Sequence, residues 1–111
     1  MNQPTLFEAT EKKAEIDKIL LYALGEFQSR GKVLAERELA LDRLRGAFKR
    51  ACEKFEIGEL PDEKIAEYLE KLGATVKKVP SFVAKHPFRI TATIDLAEKA
   101  KEFYQTAVNN E

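Results

Sequence analysis

The sequence predicts an α+β domain, mostly helical, with four helices and one two-stranded antiparallel hairpin between the third and fourth. Three observations lead there. Apolar residues recur at spacings of three and four through most of the chain, which is the period of an amphipathic helix. From Phe88 to Ile94 the period drops to two, with β-branched residues at most positions, as in a half-buried strand. Glycine and proline stand where the period changes, at Gly31, Pro61, Gly73 and Pro80.

The first helix spans about 8–29, with Ile16, Ile19, Leu20, Ala23, Leu24 and Phe27 on one apolar stripe. Ser29-Arg30-Gly31 stops it, Gly31 being suited to the left-handed residue after a helix. The second helix is expected from Val33 to Phe55, with Leu34, Leu41, Leu44, Phe48, Ala51 and Phe55 inward. Gly46 inside it has two readings: a tolerated exposed glycine, or a point of close approach by another helix. The third is bounded by Pro61 in its first turn and Gly73 at its exit, with Asp62 and Glu63 at the positive end of its dipole and Lys71 at the negative end. Ile65, Leu69 and Leu72 form its inner face, with Tyr68 at the edge.

In the strand, Phe88, Ile90, Ala92 and Ile94 alternate with Arg89, Thr91 and Thr93, and Thr75–Val79 is the expected partner. Pro80 ends that partner, and the long connection to Pro87 is expected to be mobile at its tip. Asp95 and Glu98 read as a capping box opening the last helix, with Leu96, Ala100, Phe103, Ala107 and Val108 inward. Residues 1–7 are expected to be a flexible tail and 8–111 a single domain. The first and last helices carry wide apolar faces, from which a homodimer is expected.

A chain of 111 residues buries about 65% of its unfolded surface, enough for one core without disulfides or metal. Cys52 is the only cysteine, so no internal disulfide forms, and the acidic Glu8, Glu11, Glu15 and Asp17 argue against a targeting peptide. No apolar run approaches the roughly 18 residues of a membrane span. A cytoplasmic protein is expected. Catalysis has little support: His86 has no second histidine or cysteine with which to share a metal, Cys52 lies on an apolar helical face, and the five glycines stand singly. No enzyme activity, cofactor or metal is expected.

The charge is unevenly placed. The chain is neutral overall, yet the 24 residues from Lys71 to Ile94 hold +5 and no acidic residue, against −3 for 1–70 and −2 for 95–111. Such a block attracts phosphates or acidic partners; a merely solvated or self-pairing surface is its bland alternative. The order helix, helix, helix, strand, strand, helix together with this charge resembles a winged-helix DNA-binding domain over residues 33–94. The resemblance implies that the second and third helices take the helix-turn-helix role, with Glu56–Leu60 as the turn and the hairpin as the wing. The third helix departs from the pattern, because Asp62, Glu63, Glu67 and Glu70 would face phosphates in the groove. The expected backbone-reading residues are therefore Lys77, Lys78, Lys85 and Arg89 of the hairpin, with Arg43, Arg50 and Lys54 on one face of the second helix. Phe82 and Phe88 lie near this charge and either stack on bases or fill the core.

Gln3-Pro4-Thr5-Leu6-Phe7 resembles the peptide by which bacterial polymerases and repair proteins bind the replication sliding clamp, with Gln3, Leu6 and Phe7 at the matching positions. Pro4 and Thr5 depart from its usual residues. The competing reading is local: Thr5 and Glu8 form a capping box and Leu6 and Phe7 the first turn of the first helix. Two functions follow. One is a non-enzymatic accessory protein on duplex DNA, recruited to the sliding clamp; the other is a helical protein-interaction module, an adaptor or small regulator, whose hairpin meets an acidic protein and no nucleic acid.

Overall fold

A computed structural model describes the backbone of residues 6–58, 60–80 and 88–109, and the side chains of those from residue 15 onward. Its elements are α1 (Leu6–Ser29), β1 (Glu38–Ala40), α2 (Leu41–Lys54), α3 (Asp62–Lys71), β2 (Thr75–Lys78), β3 (Phe88–Thr91) and α4 (Ile94–Asn109). The fold is α+β and mostly helical, as the periodicities predict. The three strands form one antiparallel sheet in the order β1-β3-β2.

α1 is the spine of the core. Every residue from Ile19 to Phe27 is buried, because α1 packs against α2, α3 and α4 on different sides. The single stripe read from sequence is thus widened to the whole circumference, which is how a central helix differs from a surface one. The apolar faces of α1 and α4, from which a homodimer is expected, cover each other within the chain. The contact is closest at Gly25, where an added Cβ would stand 2.3 Å from the Tyr104 Cβ and 2.4 Å from the Ala100 carbonyl oxygen. Gly46 is the bland case: it is exposed, and an added Cβ would meet only the end of the Arg50 side chain, at 3.2 Å.

The largest correction lies between residues 33 and 40. The continuous helix from Val33 to Phe55 does not form; a third strand, β1, precedes α2, although no strand is expected before Gly73. β3 has two edges, and β2 satisfies only one. β1 supplies the other, with Leu39 opposite Ile90 and Ala40 opposite Arg89. The pairing satisfies backbone groups that would otherwise be an open edge. Ahead of it, the Glu36 N–H donates to the Ala92 carbonyl at 2.7 Å, and Glu36 itself has a φ of 54°, a left-handed turn that no helix interior contains. Leu34, 2% exposed, plugs the core from this loop instead of from a helix.

Smaller differences are local. Ile94 opens α4 instead of ending β3, and is exposed. α4 is capped by Thr93, whose Oγ1 accepts from the Leu96 N–H at 3.1 Å, so the Asp95–Glu98 capping box is replaced by a cap two residues earlier. Leu96 and Ala100 are buried as expected, Phe103 and Ala107 half-buried, and Val108 exposed. Pro61 occupies the position before α3, and its carbonyl accepts from the Lys64 and Ile65 N–H groups.

α2 and α3 end alike. The Ile57 N–H reaches the Cys52 carbonyl and the Ala74 N–H the Leu69 carbonyl, both at 3.0 Å, with a positive-φ residue just before. In α3 that residue is Gly73; in α2 it is Glu56, at φ 56°. Such a left-handed position favours glycine by about 1 kcal/mol. Glu56→Gly is therefore expected to raise the midpoint of thermal unfolding by a few degrees, as read by circular dichroism.

Candidate nucleic-acid interface

Side chains alternate across a strand, and the register fixes which of them share a face. Val76, Lys78, Phe88, Ile90 and Leu39 lie on the inner face, against α2 and α3. Thr75, Lys77, Arg89 and Thr91 lie on the outer face. The basic hairpin is therefore split. Lys78 turns inward and holds its ammonium 5.7 Å from the centre of the Phe88 ring. It borders a hollow of about 350 Å³ with Glu63, Glu67 and Glu70 of α3. Lys77 stands on the outer face directly opposite Arg89, which also donates to the Phe88 carbonyl at 3.4 Å.

Two cations opposite each other on one sheet face repel, and sheets ordinarily place opposite charges there. Among the described residues no carboxylate lies within ion-pair distance of Lys77. Lys77 and Arg89 thus place two positive charges side by side on the outer face, which Glu38 of β1, opposite Thr91, shares. Lys85, Phe82 and the connection from Pro80 to Pro87 fall largely or wholly outside the described residues. Phe88 is half-buried on the inner face, in agreement with the core reading.

The predicted face of α2 is real but lies along α1. Arg43 borders a hollow beside Phe27, Arg50 meets Glu26, and Lys54 stands 5.5 Å over the Tyr22 ring. Arg50 is structurally engaged: its Nε and Nη2 reach the same Glu26 oxygen at 2.6 and 2.5 Å, and Arg30 reaches it at 3.2 Å. The hydrogen bond to Glu26 raises the Arg50 pKa above its ordinary value. Burial, then the nearby Tyr104 and Glu26, raise that of the Tyr22 hydroxyl. Arg50 and Lys54 thus serve first to fasten α2 to α1.

Two residues missing from the sequence reading are brought to Arg43 by the unexpected strand. Lys32 and Arg37 line the same hollow of about 260 Å³, with Phe27 and Leu39 as its apolar wall. Read as one helix, Arg37 and Arg43 would lie on different faces, because six residues turn a helix through about 240°.

Of the tail, Gln3 falls outside the described residues. Leu6 and Phe7 belong to the first turn of α1, and a clamp-binding peptide in extended form would require that turn to unwind. Cys52 is buried and lines a hollow between α2 and the start of α3. Among the described residues no group of three or more potential ligands is arranged to hold a metal, and no helix is long and apolar enough to cross a membrane. No protein-family model, curated protein or solved structure matches the chain.

Proposed function

We propose that this is a non-enzymatic, cytoplasmic nucleic-acid-associated protein of winged-helix type, holding duplex DNA by its phosphates through the outer face of the hairpin. α2 and α3 take the place of the helix-turn-helix pair and β2–β3 that of the wing. The observation that carries the reading is the Lys77–Arg89 pair, two like charges placed directly across a sheet, with no carboxylate among the described residues within ion-pair distance of Lys77. Like charges facing each other across a sheet repel, and an anion bound between them is favoured. Lys85, seven residues on in the sequence from Lys78, adds a further positive charge to this segment of the chain. The exposed face of α3, with Glu63, Glu67 and Glu70, repels phosphates, so the wing and not the third helix makes the contact. Backbone contacts carry no base information, and binding is accordingly weak in sequence preference.

Titration of a labelled short duplex by fluorescence anisotropy tests this. With about three phosphates neutralised, affinity falls about 40-fold between about 50 and about 200 mM salt. Lys77→Glu weakens binding to all sequences alike and lowers the salt slope by about one. Absence of binding at low salt, or an unchanged slope in the variant, rejects the reading. A second reading rests on the hollow between α3 and the hairpin, where three glutamates meet Val76 and Phe88. That surface suits a protein partner, and a chain that ignores DNA but co-purifies with a protein through α3 is an interaction module.

A further inference from the structure

We propose that Lys32, Arg37 and Arg43 form a binding site for a phosphate group, separate from the hairpin and independent of its role. The three side chains come from the loop after α1, the approach to β1 and the first turns of α2, and they line one hollow of about 260 Å³. Among the described residues no acidic side chain lines it. Glu36 and Glu38 flank Arg37 in the chain but do not line the hollow, and Asp42 beside Arg43 is within 3.8 Å of Arg45. None of the three cations has an ion-pair partner among the described residues.

Three convergent cations suit a dianion better than a carboxylate, and two guanidinium groups offer the paired donors that phosphate oxygens accept. Phe27 and Leu39, 8% and 4% exposed, make the remaining wall apolar. An apolar wall lowers the local dielectric and strengthens each charge contact. The volume lies just below the usual range for drug-sized ligands, so the site takes a phosphate with at most a short organic group, or one phosphate of a longer chain. Gly31, at φ 82°, turns the chain out of α1; Leu34 anchors the loop; and the left-handed Glu36, tied to Ala92, aims Arg37. The site lies at the β1 edge of the sheet, with β3 between it and Lys77 on β2.

The full chain, labelled with nitrogen-15, is titrated with inorganic phosphate while sodium chloride is lowered to hold ionic strength constant. Saturable shifts of the Lys32, Arg37, Leu39 and Arg43 amides are expected, and at least tenfold weaker binding in Arg37→Gln/Arg43→Gln. If the double variant fails to fold, Lys32→Gln, on an exposed loop, supplies the comparison and should weaken binding several-fold. Shifts that never saturate, or that persist unchanged in a folded variant, overturn the proposal. A parallel titration with duplex DNA separates the sources of the phosphate. Shifts of the same amides that inorganic phosphate reverses assign the site to a nucleic-acid backbone; phosphate binding without them assigns it to a free phosphorylated small molecule.

Discussion

Replacing Gly25 with alanine is expected to destabilise the protein by about 3 kcal/mol, although the same change in an ordinary helix stabilises by about 1. The added methyl would stand 2.3 Å from the Tyr104 Cβ and 2.4 Å from the Ala100 carbonyl oxygen, both far inside van der Waals contact. Neither atom can rotate away, because one belongs to the backbone and the other is bonded to it. α4 must therefore shift outward by about 1 Å to reach ordinary contact near 3.5 Å. That shift loosens the edge-on contact between the Tyr22 and Tyr104 rings, at 5.0 Å, and the bond from the Gln28 amide to the Ala97 carbonyl, at 2.8 Å. At about 4 °C per kcal/mol the thermal midpoint should drop by about 12 °C. Gly46→Ala is the control of opposite sign. Its methyl meets only the outer nitrogen of Arg50, at 3.2 Å, which has to give slightly at the end of a long side chain, so part of the helix-propensity gain of up to about 1 kcal/mol should survive. Equal effects of the two substitutions in chemical denaturation would mean that α1 and α4 do not approach as described.

The contrast between these glycines marks what the sequence can reveal. Both sit inside helical periods, and nothing local says which one another helix touches. Periodicity located α3 and the β2–β3 hairpin because each has an apolar pattern set by a single neighbouring surface, and located α1 by one of its packed faces, although neighbours on several sides bury Ile19–Phe27 completely. It missed β1 because Val33–Ala40 has no strand period of its own; those residues extend because β3 needs a second partner. The same limit governs the charges. Spacing placed Arg43, Arg50 and Lys54 on one face of α2, and the structure keeps them there. It could not say that the face borders α1, where Glu26 and Tyr22 already engage two of the three. The split of Lys77 from Lys78 follows from the strand period alone and was within reach. The convergence of Lys32 and Arg37 on Arg43 was not, since it depends on the break in the chain at Glu36.

Arg50→Ala is expected to cost about 2 kcal/mol and to lower the thermal midpoint by about 8 °C. Glu26 is the one buried charged residue in the described core, with its side chain 11% exposed, and two Arg50 nitrogens meet one of its oxygens. Breaking a buried ion pair by removing one partner typically costs 3–5 kcal/mol, roughly what an uncompensated charge loses on leaving water. Here the cost is smaller, because the Arg50 side chain is 41% exposed and Arg30 remains beside the carboxylate at 3.2 Å. Replacing both partners, as in Glu26→Gln/Arg50→Met, removes the stranded charge and should recover part of the loss, which a double-mutant cycle measures directly. The outcome bears on function. Arg50 was singled out as a phosphate contact, and a binding assay alone would record the effect of its alanine variant as lost affinity. Arg50→Lys separates the two roles: it keeps the positive charge but loses the paired N–H donors that converge on one Glu26 oxygen. Reduced stability with unchanged DNA affinity, measured well below the melting range, assigns Arg50 to the joint between α1 and α2. Unchanged stability with weakened DNA binding would return it to the interface.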